Sequence, residues 1–269
     1  MLRYLLACAA LAVIGIPVLF GFVSAFKQNS EILLSRFFPE TLYLGNFLRV
    51  LADPRVLRAI INSFYICALA LVLGCALCLL AAVPIARRPE RIFRVFYAAF
   101  LSSMIIPAIA GFVTLYVMMA RARLVNNTTA VSVLYAAQFM VPIGVLIFSS
   151  FLRTVPLELE EAAKMEGCGY FSRILHVTAP LIRAPVLSLA VLQLPAVWNE
   201  FLIPLLFLRK QEVKPLTLLI YNFTNEHESD FGAIFALIVL GMIVPLTLFL
   251  IARRRIEESI GITAGAVKG

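Results

Sequence analysis

Residues 156–185, PLELEEAAKMEGCGYFSRILHVTAPLIRAP, form the longest charged interruption in a chain that is otherwise close to continuously apolar. Pro156 sits where a helix can begin, since its missing N–H costs nothing in a first turn, and Glu158, Glu160 and Glu161 follow near the positive end of the helix dipole. Ala162 and Ala163 offer a surface small enough for another backbone to approach closely. Gly167 supplies a residue that can take the left-handed conformation that ends a helix. Beyond it, Phe171, Ile174 and Leu175 fall on one side of a second amphipathic turn and Ser172, Arg173 and His176 on the other, until Pro180 closes it. The stretch predicts two short helices joined at Gly167, a compact knob between membrane spans.

Composition sets the surroundings of that knob. The chain has 269 residues, of which 62% are hydrophobic and 14% charged, which excludes a soluble domain of this size and predicts an all-α polytopic membrane bundle. The net charge of +8 is carried by cations beside apolar runs rather than by a basic cluster interleaved with exposed aromatics. It reads as a topology signal and not as a nucleic-acid surface. The five cysteines lie mostly inside apolar runs and only two histidines accompany them, so neither a disulfide framework nor a metal site is indicated.

Six apolar runs follow, at about 4–26, 59–86, 95–120, 124–152, 184–208 and 231–252, each long enough to cross a bilayer of about 30 Å. The first is longer than the apolar core of a cleaved signal peptide and reads as a retained span. Pro107 and Gly111 interrupt the third run and Pro142 the fourth, which favours positions inside the bundle where freed carbonyls find partners. Pro195 and Pro204 predict a fifth span bent or broken around Trp198. Residues 27–58 and 211–230 read as external connections, with 216–221 able to fold back on the bundle. The dense basic blocks Arg87, Arg88, Arg91, Arg94 and Arg253, Arg254, Arg255 abut span ends and place both termini and the 153–183 loop in the cytoplasm. With no solenoid repeat and no flexible linker, residues 1–269 read as one membrane domain.

Chemistry is sparse. No phosphate-cradling G-x-x-x-x-G-K-[S/T] loop occurs, so the chain has no means of cradling ATP phosphates and any energy must come from a partner, and neither a G-x-S-x-G elbow nor an H-E-x-x-H helix suggests a hydrolase. The chain reads as a non-enzyme that binds no cofactor of its own. Glu200 is the only acid inside an apolar run, which marks it either as a functional group or as a solvated carboxylate near the outer interface. Trp198 has the same two readings, as an interfacial indole or a pathway group. Asn62, Gln138, Gln193 and Asn199 could line a polar pathway or hydrogen-bond between helices.

The sequence Glu161-Ala162-Ala163, followed by Gly167 and flanked by Val155-Pro156, Pro180-Leu181 and Pro185, resembles the E-A-A-x-x-x-G loop of ABC importer permeases. Trp198-Asn199-Glu200-Phe201-Leu202 and the ending at 261–269, GITAGAVKG, narrow the resemblance to the carbohydrate-uptake branch, and to its maltose-system six-span subunit. The family usually carries Asp before the glycine and Ala after it. Glu166 and Cys168 stand there instead, retaining an acid and a small residue. The resemblance implies that Glu160, Glu161, Ala162, Ala163, Glu166, Gly167 and Pro180 couple to an ATPase, and that the tail, through Ala264, Gly265 and Lys268, reaches between the ATPases. It further implies a second, non-identical permease, two ATPase subunits, an extracytoplasmic solute-binding protein, and residence in a bacterial or archaeal inner membrane. An ABC permease for glycerol phosphate, a polyamine or a phosphonate is the alternative within the class. An ion-coupled secondary transporter, which would need more intramembrane acids than Glu200, is the alternative outside it.

Overall fold

The fold was analysed in a computed structural model that describes residues 2–34, 37–106, 108–226 and 230–266. All of its regular structure is helical. The order is α1 (Leu2–Ser24), α2 (Asn29–Leu33), α3 (Gly45–Ala52), α4 (Pro54–Arg87), α5 (Arg91–Ser103), α6 (Phe112–Arg121), α7 (Thr128–Tyr135), α8 (Val141–Leu152), α9 (Glu158–Met165) and α10 (Tyr170–Arg173). It continues with α11 (Ala179–Leu181), α12 (Arg183–Trp198), α13 (Leu202–Phe207), α14 (Leu216–Glu226) and α15 (Phe231–Ala266). Two compact units divide the chain, Met1–Ser63 with Lys210–Leu246, and Phe64–Arg209 with Thr247–Gly269.

Six spans are expected from the sequence, the fifth of them bent or broken, and the helices of the described residues do not by themselves give that count. Three helical stretches, Pro54–Arg87, Thr128–Leu152 and Phe231–Leu250, are long and apolar enough to cross a membrane. The bent pair Tyr170–Leu181 and Arg183–Trp198, angled at 69°, makes a fourth if it is one span. The run at 95–120 is split into α5 and α6, with a 3₁₀ turn at Ala108–Gly111. The break brackets Pro107, an imino acid with no N–H to donate to the preceding turn. The run at 184–208 is split at residues 199–201, as its prolines foretold.

In the first unit, Asn46 is the hub. Its Nδ2 donates to the Ala25 carbonyl at 2.9 Å and the Lys27 carbonyl at 2.8 Å, and its Oδ1 accepts from Arg49 Nη2 at 2.8 Å. Arg49 Nη1 reaches Asp230 at 2.8 Å, and Asp230 in turn accepts from the Ala233 amide near the start of α15. Gly232 permits this approach, because a Cβ there would lie 2.7 Å from both amide atoms of Asn46. The segment at 216–221 does fold back: α14 buries Leu216, Leu218, Leu219 and Phe223.

In the second unit, small residues set the packing. A Cβ on Gly74 of α4 would collide with the Met140 side chain, and one on Gly144 of α8 with Cys78 and Leu189. These close approaches bring α4, α8 and α12 together where larger side chains would hold them apart. Cys75 and Cys78 stand in a C-x-x-C spacing on α4, yet both are free thiols, and among the described residues no group of ligands could hold a metal. Cys78 Sγ donates instead to the Met140 carbonyl at 3.5 Å. A π-turn at Ala136–Met140 precedes Pro142, and a second at Ile174–Thr178 precedes Pro180. In each case the widened turn precedes a proline ring that would clash with a regular α-helical turn.

Candidate functional site

The knob predicted from the sequence is formed by residues 153–182 of the second unit. Its first helix, α9, starts at Glu158, two residues later than Pro156 suggested, with Leu157 at the N-cap. Glu158, Glu160 and Glu161 occupy its first turn, where the exposed N–H groups favour negative charge. It ends in a Schellman motif: the Gly167 amide donates to the Lys164 carbonyl at 3.0 Å and the Cys168 amide to the Ala163 carbonyl at 3.0 Å. Gly167 has φ +84°, the left-handed conformation its place required. The second half does not close at Pro180, which sits exposed inside α11; the chain turns two residues later, at Ile182, between α11 and α12. The π-turn explains why the proline is accommodated there instead of ending the helix.

The knob's residues separate by face. Ala163 is buried against the chain's own residues, whereas Ala162, Glu158, Glu161, Glu166 and Gly167 are exposed. Glu160 is turned inward and accepts from Arg87 Nε at 2.9 Å. Around the exposed acids stand large apolar side chains with no cover from this chain: Met165 at 88% exposure, Phe171 at 67% and Leu175 at 63%. His176 Nδ1 lies 3.0 Å from the Ser172 carbonyl, one turn back.

A second polar centre lies at the break after α12. Glu200 accepts from the Leu202 and Ile203 amides, each at 3.0 Å, so its carboxylate caps α13. It also accepts from the Tyr135 hydroxyl at 2.8 Å, and Tyr135 is buried. Trp198 is buried with its indole edge-on to Phe64, ring centroids 5.3 Å apart. Asn199 caps the end of α12 through the Pro195 carbonyl at 3.0 Å. Gln138 sits half-buried in the first π-turn and Gln193 is buried on α12. Asn62, in the other unit, spends both amide hydrogens on the Glu212 and Lys214 carbonyls at 2.9 and 3.0 Å, while Ser63 Oγ accepts from the Leu216 amide at the head of α14. Asn126 holds φ +63° and joins Phe207 and Arg209 by two 2.7 Å bonds.

Residues 74–261 match the family model described as the binding-protein-dependent transport system inner membrane component. The chain belongs to that family. It is 27% identical over its whole length, and 95% of the relative's, to the melibiose/raffinose/stachyose import permease protein MelC of Bacillus subtilis. It is also 27% identical, over 92% of this chain and 83% of the relative, to the diacetylchitobiose uptake permease NgcG of Streptomyces coelicolor. The multiple sugar-binding transport permease MsmG of Streptococcus mutans is 27% identical over 99% of this chain and 96% of its own. In fold, the chain is similar to a bacterial ABC transporter involved in import of the acidic polysaccharide alginate, with a TM-score of 0.80, 18% identity and 94% of each chain covered. For this inner membrane component, the matched residues take in the knob and the Glu200 break and stop at residue 261. Within the tail, α15 runs unbroken through Arg253, Arg254 and Arg255 to Ala266, so Ala264 and Gly265 lie in its last turn. Lys268 lies outside the described residues.

Proposed function

We propose that this chain is the permease subunit of an ATP-driven ABC importer and forms half of the translocation pathway for a sugar or sugar-like solute handed over by an external binding protein. The observation that carries the reading is the knob: a preorganised two-helix loop that exposes Met165, Phe171 and Leu175 beside Glu158, Glu161 and Glu166. An apolar centre rimmed by charge on a water-facing loop fits a protein partner. Here the partner is an ATPase, since this chain has no phosphate-binding loop of its own. The sugar assignment is supported by the names of the relatives. The assembly comprises this chain, a second and non-identical permease, and two ATPase subunits that bind ATP and Mg²⁺, with both termini of this chain cytoplasmic. ATP-driven closure of the ATPases pulls on the knob and rocks the bundle between outward-open and inward-open states.

The test is co-purification of the ATPase with the permease in detergent. Glu161→Lys reverses an exposed charge at the rim of the docking face and is expected to weaken capture about tenfold, roughly 1.4 kcal/mol, with restoration by an acidic substitution at the ATPase residue it meets. Undiminished capture would return Glu161 to a purely helix-capping role. For the tail, deleting residues 265–269 is expected to leave assembly intact and lower solute-stimulated ATP hydrolysis, measured on the reconstituted complex. A truncated complex hydrolysing at the full rate would leave the tail without a role in the ATPase cycle.

A further inference from the structure

The sequence assigned Arg87 to membrane topology and Glu160 to the docking surface, but the structure joins them. Arg87 is the last residue of the 34-residue helix α4, and its Nε donates to Glu160 Oε1 at 2.9 Å. Its Nη1 donates to the Val155 carbonyl at 3.0 Å. The two side chains are only 13% and 15% exposed, unlike Glu158, Glu161 and Glu166 on the same knob. Val155 lies in the connection between α8 and α9, and Glu160 in the first turn of α9, so one guanidinium fork grips the chain on both sides of the point where the knob's helix begins. Ala163, one turn further along the same face as Glu160, is buried as well, and α9 packs on the 174–178 turn. The grip therefore reaches the whole knob.

We propose that Arg87 and Glu160 are a positioning pair that makes the inner end of α4 and the knob move as one body. On this account Glu160 never meets the ATPase; it converts a push on the knob into a displacement of a long spanning helix. The inference rests on the reading of the knob as an ATPase dock. It follows from the chemistry of the pair: an ion pair largely removed from water resists separation, because parting it strands a charge in a site built for two. Arginine is the residue type that can hold a carboxylate and a backbone carbonyl at once in fixed directions, which lysine cannot.

The experiment uses the full complex, with its ATPases, second permease and binding protein, in proteoliposomes. Glu160→Gln and Arg87→Lys are expected to keep subunit stoichiometry and ATP hydrolysis while solute imported per ATP falls about tenfold, equivalent to roughly 1.4 kcal/mol. A purely structural pair would lower assembly and both rates together, leaving that ratio unmoved, and this result overturns the proposal. Loss of the ATPase from Glu160→Gln, but not from the unmodified complex, would put Glu160 on the docking face and overturn it too, with the importer reading intact. An unmodified chain that retains no ATPase would overturn the importer reading itself. Hydrogen exchange on the unmodified complex gives a readout independent of any variant: residues 84–88 and 153–160 should change protection together when a non-hydrolysable ATP analogue is added, and a change confined to one segment would sink the idea.

Discussion

Gly167→Val is expected to remove the ATPase from the purified permease and to abolish uptake, while the chain still inserts in the membrane. The cause is backbone conformation rather than space. A Cβ at residue 167 would meet nothing within 4 Å, so no clash accompanies the substitution. Its φ of +84° is another matter, since a β-branched residue in the left-handed region is strongly disfavoured, at about 2 kcal/mol or more. Relief would come from unwinding the Schellman motif, which frees the Ala163 and Lys164 carbonyls and changes the angle between α9 and α10. A cost of about 2 kcal/mol lowers the population of the docking-competent knob roughly 30-fold. The series Gly167→Asn, Gly167→Ala and Gly167→Val separates this account from one based on volume: Asn should stay near the natural protein and Ala should be intermediate, because Asn tolerates left-handed φ best among residues with a side chain. The measurement is ATPase retained per permease across the series. Equal retention by all three would mean that the turn at Gly167 is not what presents the knob.

The knob was legible because its determinants are local: acids in a first turn, a glycine at the stop, and amphipathic spacing act over a few residues and survive without knowledge of the fold. Glu160 shows where that locality ends. Nothing in the tripeptide ELE says which acid turns inward, although the spacing of three between Glu160 and Ala163 places both on one face, and the burial of Ala163 could have been suspected from its size. The spans were legible as apolar runs and their prolines marked where the third and fifth are interrupted, but hydropathy averages over a window and does not say that the third run separates into two helices. The partners of Asn62 lie about 150 residues further along, and those of Tyr135 some 65, so their roles depend on tertiary contacts that no window contains. The C-x-x-C at Cys75 and Cys78 illustrates the converse, a motif-like spacing that the helix converts into packing.

Glu200→Ala is expected to lower the thermal unfolding midpoint of the detergent-solubilised chain by roughly 5–10 °C, from a loss of about 3 kcal/mol. Two costs combine. The Tyr135 hydroxyl, on a residue only 1% exposed, loses the carboxylate acceptor at 2.8 Å, and the Leu202 and Ile203 amides lose the carboxylate that caps α13. The break at 199–201 exists because the helix cannot continue toward Pro204, so the cap is what gives the interrupted backbone a fixed shape. In a Tyr135→Phe background the same Glu200→Ala change should cost less, because the buried donor is already gone; the difference between the two backgrounds is the coupling of the pair. Glu200→Gln decides between this role and a direct one in the translocation pathway. The amide keeps one carbonyl oxygen, which can still accept from Tyr135 and the Ile203 amide while the Leu202 amide loses its acceptor, so a structural Glu200 predicts a smaller shift in midpoint than Glu200→Ala, with transport largely retained. A carboxylate that itself handles the solute predicts the reverse: an unchanged midpoint with transport lost. An unchanged midpoint for Glu200→Ala would show that the break holds its shape without the clasp, and the carboxylate would then have to be sought among the solute-contacting groups.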